Sequence, residues 1–469
     1  MLFNSFPYWI FFFIVAALFY SVPFRFGKVL LVLASYVFYM WWDWRFIVLI
    51  LTSTVADYYL GILLETATGR RKKLLLIVSL VVNLGILGFF KYYDFFASSL
   101  AALLRIPQSS VVLQIVLPIG VSFYTFASLS YTFDVYWGKM KAVRNPIDYA
   151  LFIAFFPHLI AGPIIRARQF ISQIWSWRPP TAIVVQSGII LVMAGLIKKM
   201  VFADRFAVVS DSYFNDPMSH PGWLAAWSGC IAFFMQVFFD FSGYTDIARG
   251  CAKLLGFEFP LNFARPFLAR NPADFWQRWH ITLSTWVRDY LFMPFSRGKK
   301  GRFVLYRNLM IVMILVGLWH GANWTFVAWG AYHGILLIGY RLFDRATTGT
   351  AIAKVMKQRF FVPFSVGLMF LSCTVSMAFF RPKMLQASGY VVSALFGFQQ
   401  VPGEFLLTTG TIVLIFISLF LAVAQERIQF IDRLALQPAR IQVPAYVCAF
   451  LALELFPATG PVPFVYFQF

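Results

Sequence analysis

The chain has 469 residues, of which 60% are hydrophobic and 12% charged, against roughly 25% charged in a soluble domain. Its 39 Lys and Arg against 19 Asp and Glu give a net charge of +20, but the basic residues cluster between apolar stretches, as cytoplasmic loops do. These figures exclude a soluble multidomain protein, argue against a nucleic-acid partner, and point to one membrane domain over residues 1–469.

A spanning helix needs about 20 mostly apolar residues. Such segments occur at 8–24, 29–43, 46–64, 74–97, 113–136, 147–163, 182–202, 223–245, 360–380, 405–424 and 441–459, with a shorter-armed hairpin or re-entrant pair at 308–340. The first has no basic residue ahead of it and reads as a retained span, not a cleaved signal. Basic groups at Arg25 and Lys28, Arg70 to Lys73, Lys139 to Arg144, Arg297 to Arg307, Arg341 to Arg359 and Arg427 to Arg440 fall on alternate crossings. Placed in the cytoplasm, they leave both termini outside. The sequence predicts an all-α polytopic membrane protein without the inverted repeat common in secondary transporters. Cys230, Cys251, Cys373 and Cys448 lack CxxC or zinc-like spacing and read as small buried hydrophobes.

Residues 261–296 differ from the spans, carrying four arginines and three tryptophans, among them Arg278, Trp279, Trp286 and Arg288. Asn271 is placed to cap a helix, with Pro272 at its first position and Asp274 in its first turn. A cationic, tryptophan-rich helix of this kind lies at the interface or re-enters the membrane.

The chemistry rests on five histidines. His220 sits in a polar loop. His158, in a proline-broken apolar segment, reads as structural, and His333 as an interhelical hydrogen bond. His320 lies between Arg307 and Arg341, whose 33 intervening residues are too few for two full spans. The chain therefore turns near His320, in a glycine-bounded bend beside Asn323, at a depth where irregular backbone is tolerated only around a buried cavity. Asp240 and Asp246 end an aromatic span; they are either functional intramembrane carboxylates or partners of Arg249 or Arg265. No GxSxG elbow, Walker loop, dinucleotide fingerprint or HExxH cluster occurs. A metal-free, histidine-based chemistry remains.

Two strings then become specific: Asp274-Phe-Trp-Gln-Arg-Trp-His280 running to Leu291, and Gly317-Leu-Trp-His320-Gly-Ala-Asn323-Trp324. They resemble the hallmark motifs of the membrane-bound O-acyltransferase superfamily, and within it the bacterial alginate O-acetyltransferase branch. Leu33–Tyr39, Leu117–Tyr124, the His158 and Asp240 segments and the ending Val465–Phe469 resemble that branch too. The stretch Pro294–Gly301 departs from it, lacking the expected glycine pair.

The resemblance implies about a dozen spanning and re-entrant helices around a central funnel or tunnel. It implies His320 as catalytic histidine and His280 as a second histidine on the cytoplasmic side of the pore. The acyl donor would be a cytoplasmic thioester, acetyl-CoA foremost, as co-substrate with no permanently bound cofactor. The acceptor would be a polysaccharide hydroxyl outside, reached directly or through a periplasmic acetyltransferase partner, from a bacterial inner membrane. On this reading His320 is the general base that deprotonates a hydroxyl. Asn323 or an indole N–H steadies the oxyanion, and Arg278, Trp279, Trp286 and Arg288 with His280 receive the thioester. The alternatives are D-alanyl transfer to teichoic acid, lipid or protein acylation, and a proton-coupled transporter.

Overall fold

Lipid offers no partner to a backbone N–H or C=O, so a chain this apolar satisfies its backbone within helices. In the computed structural model, residues 1–298, 301–356, 358–428, 433–456 and 464–465 are described, and no strand occurs among them. Lys299 and Lys300, part of the Arg427–Arg440 stretch and the last four residues of the ending lie outside them.

Six helices among the described residues are long and apolar enough to cross a membrane. They carry exposed Val55, Leu84, Val208, Phe303 and Phe364, the reverse of a soluble surface and the signature of a lipid-facing one. The protein is an all-α polytopic membrane protein. The chain divides into two compact units, residues 1–192 with 244–260, and residues 193–243 with 261–469.

The first unit holds α1 (Phe6–Ser21), α2 (Phe24–Met40), α3 (Ile47–Thr66), α4 (Gly69–Leu104, with a π turn at Gly88–Tyr92), α5 (Val121–Tyr136), α6 (Pro146–Ala154) and α7 (Ala167–Trp175). Two expected spans are shortened. The one at 113–136 becomes helical only at Val121, because Gly120 is left-handed at φ 78°. The one at 147–163 breaks after Ala154 into a separate turn, Phe156–Leu159, with Pro157, which cannot donate an N–H, at its start. Polar side chains join α3, α4 and α5. Asp57 accepts from Ser79 Oγ at 2.6 Å and Asn83 Nδ2 at 2.7 Å, and Ser53 Oγ reaches Asn83 Oδ1 at 2.7 Å and Ser128 Oγ at 3.1 Å. Every one of these groups is buried, so the network binds the helices where lipid could not hydrate it. His158 is buried, and its Nδ1 donates to the Phe155 carbonyl at 3.0 Å.

α8 (Ala182–Asn215) and α9 (Trp223–Leu254) contribute to both units. The second unit adds α10 (Pro272–Arg278), α11 (Ile281–Val287), α12 (Arg302–His320), α13 (Trp324–Thr347), α14 (Val362–Phe380), α15 (Leu385–Leu395), α16 (Thr409–Ile428) and α17 (Ala439–Leu455). The tryptophan-rich stretch is interrupted between Arg278 and Ile281, its second helix runs on through a π turn at Arg288–Phe292, and Trp279 and Trp286 are buried within the protein. α12 stops at His320, and α13 begins four residues on. Both helices extend beyond 308–340. The 19 residues of α12 rise roughly 28 Å, close to the ~30 Å hydrocarbon core.

α12 and α13 meet at glycines. A Cβ on Gly317 would strike the Phe326 carbonyl oxygen and one on Gly330 the Met313 carbonyl oxygen, so the backbones pack at a distance only glycine allows. Gly317→Ala should destabilise the protein by about 1–3 kcal/mol, read as a lowered thermal midpoint in nanodiscs. Gly339→Ala, in α13 with open space around it, should not.

Candidate active site

α10 begins as its sequence dictates, with Asn271 Oδ1 accepting from Asp274 N–H at 2.9 Å and proline in its first turn. It ends at Arg278, and His280 then turns left-handed at φ 43°, ψ 55° before α11 starts. That conformation is costly for a residue with a Cβ, of order 1–3 kcal/mol, and persists only where neighbours impose it.

Asn262 imposes it. Its Oδ1 accepts from Thr282 N–H at 3.2 Å, Thr282 Oγ1–H at 2.8 Å and His280 Nδ1–H at 3.1 Å. A backbone N–H can only donate, so Oδ1 is the Asn262 atom turned to this turn, and His280 Nδ1 must carry the proton. His280 Nε2 therefore presents a lone pair, and it is buried without a hydrogen-bond partner among the described residues. Burial pushes the His280 imidazole down to about 3, which keeps it neutral.

The second unit contains a small, mainly apolar cavity. α9 gives it Phe234 and Val237, α10 gives Phe275 and, at its end, Trp279, and His320 comes from the end of α12. Trp329 and His333 of α13 line it from one helix face, four residues apart. Cys373, Ser376, Met377 and Phe380 of α14 form a stripe at helical spacing on its wall. The His320 ring packs between Trp319, Trp329 and Phe380 at centroid separations of 4.8, 4.9 and 5.1 Å. His280 is not on that wall; its ring lies 5.7 Å from the Trp319 indole, itself against His320. The structure thus brings His320, His333 and Trp279 to one cavity and puts His280 one indole behind it.

The remaining candidates lie elsewhere. Arg278 Nε pairs with Asp274 at 2.7 Å, and exposed Arg288 pairs with Asp289 at 2.7 Å. Trp286 is buried against Tyr290, with ring centroids 5.2 Å apart. Asn323 caps α13 through Thr325 N–H at 3.0 Å and donates to the Lys383 carbonyl at 2.7 Å. Asp246 pairs with Arg249 at 3.3 Å, but Asp240 does not. It meets Lys199 at 3.0 Å, with Asp204 on the same ammonium at 2.8 Å, and accepts the Val465 N–H at 2.6 Å. The sequence reading missed Lys199, whose signal was a lysine inside an apolar span five residues before an aspartate. It also missed Asn262 and the cavity position of His333, whose signal was its spacing of four from Trp329.

A cavity walled by histidines within a polytopic helical membrane protein is a site that can carry acid–base chemistry inside the membrane. The membrane-bound O-acyltransferase family model matches residues 37–381, and the chain belongs to that family. It is 41% identical over 385 residues to the probable alginate O-acetylase of Azotobacter vinelandii, covering 81% of this chain and 75% of the relative. It is 32% identical over 412 residues to the peptidoglycan O-acetyltransferase of Helicobacter pylori, covering 80% and 75%. Teichoic acid D-alanyltransferase of Bacillus subtilis is 31% identical over 239 residues, covering 48% of this chain and 60% of the relative. The protein is an O-acyltransferase.

Replacing Asn262 with Ala strands the buried Thr282 N–H and frees the His280 tautomer. Stability should fall by about 1–3 kcal/mol, measured as a shift in unfolding midpoint. Because the folded protein holds His280 neutral while an unfolded histidine protonates near pH 6.5, this group's stabilisation is complete above that pH. It is lost as pH falls from there toward 3. Wild type should lose more stability between pH 7.5 and 5 than His280→Gln, compared by thermal unfolding at the two pH values.

Proposed function

We propose that the enzyme moves an acetyl group from a cytoplasmic thioester, acetyl-CoA, to hydroxyls of an extracytoplasmic polysaccharide, directly or through a periplasmic acetyltransferase partner. It works in the bacterial inner membrane. The observation that carries this reading is the seat of His320, at the end of α12 on the wall of a small, aromatic-lined cavity. The cavity suits a short apolar acyl group. Its lining among the described residues contains no aspartate or glutamate, the group that would pair with a cationic alanyl, and this favours acetyl over D-alanyl. The relatives named for O-acetyl transfer, matched over about four-fifths of this chain, support the same choice.

In this reading His320 takes the proton of the attacking hydroxyl, whose oxygen adds to the thioester carbonyl carbon. The tetrahedral oxyanion collapses, the C–S bond breaks, and the thiolate leaves with the proton that His320 returns. His280 Nε2, held as an acceptor by Asn262, orients a donor group of the incoming thioester. Arg278 and Arg288, now paired with Asp274 and Asp289, would meet the phosphates of the incoming thioester.

The test supplies radiolabelled acetyl-CoA to purified protein in nanodiscs, with the acceptor polysaccharide and any periplasmic partner present. Wild type should release label from CoA, and His320→Ala should fall to background while keeping its thermal midpoint. Full activity in His320→Ala would remove the base assignment. No consumption by wild type would remove the acetyl-CoA donor, and substrate flux across liposomes would then favour a transporter.

A further inference from the structure

Trp329 and His333 line the cavity with His320, yet the histidine-as-base reading gives neither of them work. Both are almost fully buried, at 3% and 1% exposure. Trp329 Nε1 and His333 Nδ1 are buried with no hydrogen-bond partner among the described residues. The interhelical hydrogen bond that would explain a buried histidine is therefore not made at Nδ1. Polar atoms left without a partner in a low-dielectric interior are costly and call for a ligand. Here an indole N–H and an imidazole nitrogen belong to one helix face, with ring centroids 4.6 Å apart, and the Trp329 ring also packs 4.9 Å from His320.

The chemistry of the pair identifies what it would receive. An indole nitrogen only donates, and a neutral imidazole has one N–H to give. An indole N–H and an imidazole N–H beside a base suit an oxygen that gains negative charge as the base takes a proton. Asn323, the other amide near His320 in sequence, is committed to capping α13 and to Lys383.

We propose that Trp329 Nε1–H and the His333 imidazole N–H form the cradle for the acyl carbonyl oxygen and for the oxyanion that replaces it. This assignment rests on the acyl-transfer reading above. When the acceptor oxygen bonds to the carbonyl carbon, the carbonyl π pair moves onto the oxygen held by these donors, and the acceptor proton moves to His320. When the C–S bond breaks, that pair returns to re-form the carbonyl, and the proton leaves with the thiolate. The cradle donates hydrogen bonds throughout and exchanges no proton.

The experiment compares wild type, Trp329→Phe, His333→Leu and His333→Gln in nanodiscs. Trp329→Phe keeps an aromatic ring and deletes the N–H; His333→Gln keeps an N–H donor. Trp329→Phe and His333→Leu should each lower kcat by about 10²-fold, with KM for acetyl-CoA and binding of the thioether analogue S-ethyl-CoA within about threefold of wild type. His333→Gln should recover at least about tenfold over His333→Leu. A purely structural role would instead move thioether binding and thermal midpoint together and gain nothing from the glutamine. Wild-type kcat in either donor-deleted variant, or losses that track thioether binding, would overturn the cradle. Wild type that consumes no acetyl-CoA would overturn the donor reading and the cradle with it, whereas an active wild type with unchanged variants overturns only the cradle.

Discussion

The backbone contact between α12 and α13 at Gly317 and Gly330 governs the site. With no side chain at either position, each glycine lies against a carbonyl of the other helix. Trp319, His320 and Trp329 then pack ring against ring. α14 lays its stripe from Cys373 to Phe380 against the same face. A bulkier residue at the crossing would part the helices and open the cavity that the aromatic rings close.

A second constraint acts on His280. Helix cannot continue through a left-handed residue, so the chain there is held by what pairs with it. Asn262 supplies both parts: its carbonyl accepts Ile281 N–H at 2.9 Å, and its side-chain oxygen takes three further donors. Strain is thus localised at one histidine and offset by four hydrogen bonds. The same bonds decide which ring nitrogen is bare, so local backbone geometry and the chemistry of the side chain have one cause.

Two further sets of buried ionisable groups are paired within the protein. Asp57 is surrounded by neutral donors in the first unit, while in the second Lys199 is shared by Asp204 and Asp240. Each charge or carboxylate is satisfied by protein because lipid cannot do it. Trp329 Nε1 and His333 Nδ1 have no protein hydrogen-bond partner among the described residues, and both residues lie on the wall of the cavity.

The all-α membrane architecture was legible in the sequence because hydropathy and backbone satisfaction in lipid leave few alternatives. So were the Asn271 cap, the helix end at His320 and the family, since caps and motifs are local in sequence. Asp240's partner was not, because Lys199 lies forty-one positions away and pairs only once α8 and α9 are folded. Nor was the break at His280, which depends on an asparagine eighteen residues upstream. His333 carries nothing in its own segment to separate it from a packing histidine. What distinguishes it is the wall it shares with His320 and the bond its Nδ1 does not make, and both are properties of helices brought together in space.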